Sequence, residues 1–366
     1  MRIALYNLTT TTAYGGVESF VWDLASQLHE RGHTVEIFGG NGTRREATTT
    51  LRVRTFPFIN RSAFAWIPGL ARAYAERKLL ERLSFAVCAL PQLIWGQYDI
   101  IHIQKPYDML PALIAARLTG ASVVLGCHGE DFFRGDRWLA RQMDAAVSCS
   151  AFNAQTVDSR YRIPITVVYN GIDTTVFHPP TPGATPPAVP FKVLFVGRLQ
   201  EWKGVRTILE ALSTVPDVTL TIAGDGNDRT LLEAHAAALG VSGRVTFLGS
   251  VPRTELPALM YEHHALVASS YASETFGIGL VEAQACGLPV IASRFGGFVE
   301  VVSEGQTGLF YPPRDAAALA ACLRTLMNQP ELRQHLASHA PAWANQFAWS
   351  AVTDRIESVY RRLRGL

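Results

Sequence analysis

The chain is short of four things, and most of these shortages narrow the class of protein. Its five cysteines (Cys88, Cys127, Cys149, Cys286, Cys322) are scattered with no close pair. That spacing gives neither a disulfide framework nor a zinc site, and it suits a reduced, cytoplasmic chain. No stretch approaches the roughly 20 apolar residues that span a bilayer. The apolar run in MRIALYNLTTTT is too short for a secretory signal. No charge sign dominates: a formal net charge of +2 over 366 residues argues neither for nor against nucleic acid. No Asp-x-Asp metal motif occurs. What remains is 48% hydrophobic and 17% charged, the balance of a soluble globular protein of two domains.

The most informative stretch is HALVASSYASETFGIGLVEAQACGLPVIAS, His264 to Ser293. Ala265 to Ala268 reads as a buried strand, Ser269 to Glu274 as a polar loop, and Phe276 to Ala285 as a helix. Gly287 and Pro289 stop that helix, and a further strand begins at Val290. Strand, loop, helix and strand make the unit from which parallel sheets are built. The amides of Phe276, Gly277 and Ile278 at the helix start attract phosphate. Glu274 and Glu282 flank them, and carboxylates beside an anion site are better matched to sugar hydroxyls. The plainer alternative is that Glu274 caps the helix while Glu282 is simply exposed.

SETFGIGLVEAQACGLPV, with seven residues between its two glutamates, resembles the paired-glutamate motif of the family 4 retaining glycosyltransferases. That resemblance implies an α/β chain of GT-B fold: two Rossmann-like domains with parallel sheets facing across a cleft, and a C-terminal helix crossing back to the N-domain.

Along the chain, Ile3 to Leu8 reads as a first strand. The following helix carries Val17, Phe20, Val21, Leu24 and Leu28 at helical spacing, and Val35 to Phe38 is the next strand. Gly15-Gly16 sits at the strand-to-helix turn, a plain tight turn or a phosphate site. The resemblance of YGGVESFVWDLASQLHERGHTV to the family favours the phosphate, with Gly16 nearest the donor diphosphate. Four more strands, at Asp99–Gln104, Ser122–Cys127, Ala145–Ser150 and Ile165–Tyr169, continue the α/β alternation. His128 closes one of them and, with Glu130 and Asp131, is similar to the family's histidine segment. A strand-end histidine alone is more often structural.

Gly39 to Gly96 is the least regular part. Between Arg44 and Arg82 nine Lys/Arg face three Glu, interleaved with Phe56, Phe58, Phe64, Trp66 and Tyr74. Such a segment fits an anionic membrane surface or, equally, an ordinary helix with a solvated basic face. PPTPGATPPAVP, Pro179 to Pro190, forbids helix interior and central strand and reads as a linker. The domains are then 1–178, the linker 179–190, a second Rossmann-like domain 191–345, and a returning helix 346–366. After the linker, Arg198 and Lys203 follow the first strand and form a diphosphate clamp, or else a surface pair beside Glu201. Gly224-Asp225-Gly226 lacks the third glycine of a dinucleotide fingerprint.

The resemblance implies a nucleotide-diphosphate sugar, UDP- or GDP-linked, as co-substrate, with no further cofactor and no metal. Glu282 would hold the ribose hydroxyls and Glu274 those of the donor sugar. Arg198, Lys203 and the amides near Gly277 would stabilise the leaving diphosphate, and His128 would touch the donor sugar near the reacting carbon. The acceptor would be a glycan, a lipid-linked or a small-molecule hydroxyl in cell-envelope polysaccharide or glycolipid synthesis, with no nucleic acid involved. The enzyme would be cytoplasmic or peripheral on the inner membrane face. The rivals are a sugar-nucleotide epimerase of the same architecture and a lipid- or glycan-binding protein on a dead transferase fold.

Overall fold

A computed structural model of the chain describes residues 1–13, 15–42, 50–129, 131–180 and 190–366. The chain folds as two units, residues 1–171 with 349–366 and residues 172–348. In the first unit seven parallel strands form one sheet: β1 (Arg2–Tyr6), β2 (Thr34–Gly40), β3 (Arg52–Phe56), β4 (Ile100–Ile103), β5 (Ser122–Cys127), β6 (Ala145–Ser148) and β7 (Ile165–Val167). Their spatial order is β3-β2-β1-β4-β5-β6-β7, so the winding reverses between β1 and β4. Ile3 pairs with Ile100 across that switch and with Val35 on the other side. The central strands are buried on both faces, which is why β4 reads as an unbroken IIHI rather than as an alternation. β3 is an edge strand, and its arginines alternate along RVRTF as an edge exposed to water permits.

Helices α1 (Gly16–Glu30), α2 (Tyr74–Trp95), α3 (Met109–Thr119), α4 (Asp136–Ala140) and α5 (Ala151–Tyr161) cover the sheet. Phe85, Ala89, Met109, Ala112 and Tyr161 fill the core beneath α2, α3 and α5. Phe20, Val21, Leu24 and Leu28 of α1 fill the core on the opposite side.

The second unit repeats the plan. Its strands are β8 (Phe191–Val196), β9 (Val218–Ala223), β10 (Val245–Gly249), β11 (Ala265–Ala268), β12 (Val290–Ser293) and β13 (Gly308–Tyr311). They are all parallel and ordered β10-β9-β8-β11-β12-β13, with the switch between β8 and β11. Among its helices are α6 (Val205–Ser213), α7 (Arg229–Ala238), α8 (Leu256–Tyr261), α9 (Ile278–Ala285), α10 (Phe298–Val301), α11 (Ala316–Asn328) and α12 (Pro330–Ala344). Both sheets are thus the doubly wound α/β type expected from the sequence.

The last helix, α13 (Trp349–Arg364), belongs to the first unit, where Val352, Ile356, Val359 and Tyr360 complete the core begun by α1. Arg31 after α1 fixes it by ion pairs to Asp354 at 2.5 Å and Glu357 at 2.6 Å.

The division of the chain falls after Gly171 rather than at residue 178. The Ile172 amide donates to the Phe347 carbonyl at 2.8 Å, Phe177 is buried, and the Tyr261 hydroxyl donates to the His178 carbonyl at 2.7 Å. These bonds tie residues 172–178 to the second unit. Residues 181–189 of the expected linker lie outside the described residues.

Candidate active site

In an open α/β sheet, ligands bind beyond the carboxyl ends of the strands at the point where the winding reverses. In the second unit that point lies between β8 and β11. The loop after β8 carries Arg198 and Lys203; the loop after β11 carries Glu274; and α9 carries Glu282. Lys203 Nζ lies 2.6 Å from Glu274 Oε2, and Ser270 Oγ donates to the same oxygen at 2.9 Å. Lys203 also stands over the Trp202 ring, 4.3 Å from its centroid. It pairs with Glu274 and not with the neighbouring Glu201, so the surface-pair alternative does not describe it. Arg198 is exposed and has no ion-pair partner among the described residues.

Backbone packing fixes this geometry. Gly204, at φ +69, ends the turn holding Lys203, and a Cβ there would stand 2.1 Å from the Ser269 carbonyl oxygen. Ser269 Oγ donates to the Lys203 carbonyl at 2.7 Å, and the Tyr271 amide donates to the Trp202 carbonyl at 2.9 Å. The two loops are therefore laced together before any ligand arrives. Gly297 supports the other side: its amide donates to the Glu274 carbonyl at 3.1 Å, and a Cβ would come within 2.3 Å of the Thr275 carbonyl oxygen. Next to Glu274, Ser273 holds φ +52, a conformation costly for a residue with a side chain and concentrated at functional sites.

The helix starts two residues later than expected. Gly277 takes φ +98 as the N-cap, so Ile278 is the first helical residue. Phe276 lies before the helix with its ring buried at 5.7 Å from Phe347. The leading amides of α9 have no acceptor within the helix, as in any first turn. A Cβ on Gly279 would meet nothing closer than the Val196 carbonyl oxygen at 4.0 Å. The far end stops as expected: the Leu288 amide bonds the Ala283 carbonyl and the Gly287 amide bonds the Gln284 carbonyl, the Schellman pattern.

Glu282 is buried, contrary to the plain exposed alternative, and accepts from Arg253 Nε at 2.8 Å. Arg253 in turn lies over the Phe177 ring. Sequence reading missed Arg253, which sits in a short turn before α8 with no motif around it. The sole signal was an arginine beside Pro252.

The first unit has its own cluster at the β1/β4 switch. His128, after β5, donates from Nε2 to Gln104 Oε1 at 2.7 Å and sets its ring edge-on to Phe20. Burial pushes its pKa down to about 3, and the charge of Lys105 adds to the effect, so the imidazole is neutral at pH 7. Lys78 and Lys105 both reach Asp131, Lys105 at 2.5 Å, and together they hold its pKa well below the usual carboxylate range against the opposing effect of burial. Glu130 lies outside the described residues. Gly16 opens α1, and a Cβ there would meet nothing within 4 Å. Of the residues singled out in the sequence, His128 follows β5, Gly16 opens α1, Arg198 and Lys203 follow β8, Glu274 follows β11 and Glu282 lies within α9.

The basic stretch is not the free cationic face that its composition predicts. Arg82 is fully buried and paired with Asp108, whose pKa burial pushes up to about 6. Lys78 is taken by Asp131, Arg61 by Glu81 at 2.8 Å, and Arg54 by Glu36 at 2.6 Å. Arg52 also lies 3.7 Å from Glu36. Glu36, Asp108 and Asp131 lie outside the counted window, so a charge count within it overstates the excess. Arg44 and Arg45 lie outside the described residues; Arg72 is exposed. Among the described residues no helix is long and apolar enough to cross a membrane, and no group of three or more His, Cys, Asp or Glu is placed to hold a metal ion.

Comparison with known proteins agrees with this layout. The family model described as Glycosyltransferase Family 4 matches residues 14–176, and that of Glycosyl transferases group 1 matches residues 185–343. A glycogen synthase of Mycobacterium tuberculosis (strain H37Rv) is 36% identical over 386 residues, covering 94% of this chain and 91% of that protein. A D-inositol 3-phosphate glycosyltransferase of Corynebacterium jeikeium is 34% identical over 410 residues, covering 99% and 97%. Among solved structures, sucrose-phosphate synthase from Thermosynechococcus elongatus superposes with a TM-score of 0.81 at 22% identity, over 100% of this chain and 99% of that one. Anabaena Alr3699/HepE, solved with UDP, superposes with a TM-score of 0.80 at 22% identity over the whole of both chains. The chain belongs to the family 4 glycosyltransferases and has their GT-B fold.

Proposed function

We propose that the protein is a retaining hexosyltransferase that uses a UDP-linked sugar, or failing that a GDP-linked one. The observation that carries the proposal is the Lys203–Glu274 pair at the head of α9, with exposed Arg198 on the same strand-end loop. A cation and a carboxylate already in contact can each exchange the other for a ligand group, phosphate for Lys203 and sugar hydroxyl for Glu274. Glu282, oriented by Arg253, takes the ribose hydroxyls. Arg198, Lys203 and the leading amides of α9 face the diphosphate. For the first unit, the proposal assigns Gly16 to the diphosphate and neutral His128 to a donor-sugar hydroxyl. That HepE was solved with UDP supports uridine as the base.

In the reaction, the bond from the sugar's anomeric carbon to the diphosphate oxygen breaks, and a bond from the acceptor oxygen to that carbon forms on the same face. The acceptor's proton passes to the departing phosphate oxygen. Negative charge grows on the diphosphate as the bond stretches, and preorganised cations and amides stabilise it there. Arg198 and Lys203 supply the charge for which other enzymes use a divalent cation, so activity is expected without metal.

The acceptor is proposed to be a glycan hydroxyl. Relatives at similar identity are named for a polymer and for an inositol phosphate. Here the two lysines near His128 are both occupied by Asp131, so an anionic acceptor group would have to displace a carboxylate. A lipid-linked glycan in cell-envelope synthesis fits the same reading.

The test is to incubate the protein with UDP-, GDP- and ADP-glucose, with and without a malto-oligosaccharide, in excess chelator. Anomeric configuration is then read by NMR. An α-linked product with acceptor-dependent release of UDP is expected. A β-linked product would overturn retention, and complete loss in chelator restored by magnesium would overturn metal independence. Conversion of the donor without any acceptor would favour the epimerase.

A further inference from the structure

The outer face of the helical layer in the first unit is apolar where water should be. Helices α2, α3 and α4 lie side by side, and their inner residues, among them Ala89, Met109 and Ala140, share one core. A helix laid on a sheet normally turns polar residues outward. Here α2 turns out Val87, Pro91 and Trp95, and α3 turns out Leu110, Ile114 and Leu118, each set spaced by four residues along its helix. Trp138 of α4 adds to them. Val87 and Trp95 are each 75% exposed, Leu118 and Trp138 each 67%. Residues 83–95 contain no acidic or basic side chain at all. A concentration of this kind marks an interaction surface.

The rim decides the occupant. Arg117, Arg134, Arg137 and Arg141 are exposed beside the apolar stripes. Over α3, α4 and residues 141–144 there are two carboxylates. Asp136 is buried under Arg160, and Asp144 is exposed. Pairing this face with a second copy of itself would bring two arginine rims together with a single carboxylate each to answer them. An anionic bilayer matches both features at once: acyl chains receive the leucines and tryptophans, and headgroup phosphates receive the guanidiniums.

We propose that the α2–α3–α4 face docks the protein on an anionic lipid surface. The stripes run along the helices and lie apart from the internally paired Arg44–Arg82 stretch. The inference stands whether or not the donor assignment above holds, because no residue of that assignment takes part.

Flotation with phosphatidylcholine vesicles, with and without phosphatidylglycerol, tests it. Binding is expected to be roughly tenfold or more tighter with phosphatidylglycerol and to weaken as salt rises. Leu118→Glu and Trp95→Glu should each reduce it by roughly tenfold or more, since each sets a charge in the acyl region. Both positions face water, so the melting curve should not move. Arg137→Gln with Arg141→Gln should roughly halve the salt dependence, since two of the four rim arginines are lost, whereas Arg72→Gln should change nothing. Tryptophan emission should shift to the blue on vesicles, and less so in Trp138→Phe. Undiminished binding by Leu118→Glu, or a chain that stays in solution with phosphatidylglycerol vesicles at low salt, overturns the proposal. So does a concentration-dependent dimer that Leu118→Glu abolishes, which would assign the face to a second copy.

Discussion

The two units share a strand order but keep their charges in opposite ways. At the switch point of the second, Lys203 and Glu274 pair largely shielded from water, while Arg198 is exposed and has no ion-pair partner among the described residues. In the first, Arg82 and Asp108 are paired out of water, and Asp131 is shared by two lysines. An exposed cation is fully hydrated and contributes little to stability, so it can be given over to a ligand. A buried ion pair is exchanged for nothing, and losing either partner strands a charge. An arginine therefore means availability at position 198 and architecture at position 82.

The widest break in this comparison is Arg82→Ala, predicted to destabilise the fold by about 3–5 kcal/mol because Asp108 loses its partner out of water and must either take up a proton or stay an unpaired buried charge. Replacing both partners, Arg82→Met with Asp108→Leu, should recover most of it in urea unfolding. Lys203→Ala, by contrast, should cost less than Arg82→Ala, because Glu274 keeps the Ser270 hydroxyl and some contact with water. Equal losses at the two sites would erase the distinction.

Next in size, Arg198→Ala and Lys203→Ala should each lower kcat by about 10²–10³ with a much smaller change in donor affinity. Near-parental turnover at saturating donor would show that these two cations are not where charge develops.

The third prediction is one of pH. His102 of β4 is wholly buried against the Tyr360 hydroxyl at 2.6 Å, and burial pushes its pKa down to about 3. The unfolded chain regains a value near about 6.5 and binds the extra proton below it. Its contribution is thus complete above about pH 6.5 and is lost on acidification, by roughly 2 kcal/mol at pH 5. Asp108, with its raised pKa, works the other way over the same range and blunts the fall. Melting temperature against pH should therefore drop below about pH 6.5, and more gently in His102→Gln. An unchanged slope in that variant would remove His102 from the account.

The finest test is Arg253→Gln. Arg253 acts through Glu282, so KM for the donor should rise roughly tenfold while kcat moves little, the signature of lost ground-state binding. A fall in kcat alone would place Arg253 against the transferred group instead.

The contrast also explains what could be read from the sequence. The second unit's site is a strand, a loop and a helix in unbroken order, so Glu274, Glu282 and the Gly287 stop were legible from local pattern alone. Arg198 and Lys203 were legible as cations at a strand end, although Lys203 finds its partner 71 residues away. The first unit's charges make sense only in pairs separated by 53 residues for Lys78 and Asp131 and 26 for Arg82 and Asp108. No window shows such a pair. β3 escaped notice because its alternating arginines resemble a basic loop. Arg253 escaped because its partner sits 29 residues on, in another element.

The return of α13 to the first unit bears on how the protein is made. A ribosome releases the strands of the first sheet early, but Trp349, Val352, Ile356 and Tyr360, which seal the α1 side of that sheet, are translated after the whole second unit. Until then the part of the α1 side that α13 covers is open to water, a transient apolar surface of the kind chaperones bind. The second unit suffers no such delay, because its chain enters at Ile172 and leaves at Ala348, two residues bridged to each other. The unit translated second is therefore free to finish folding first.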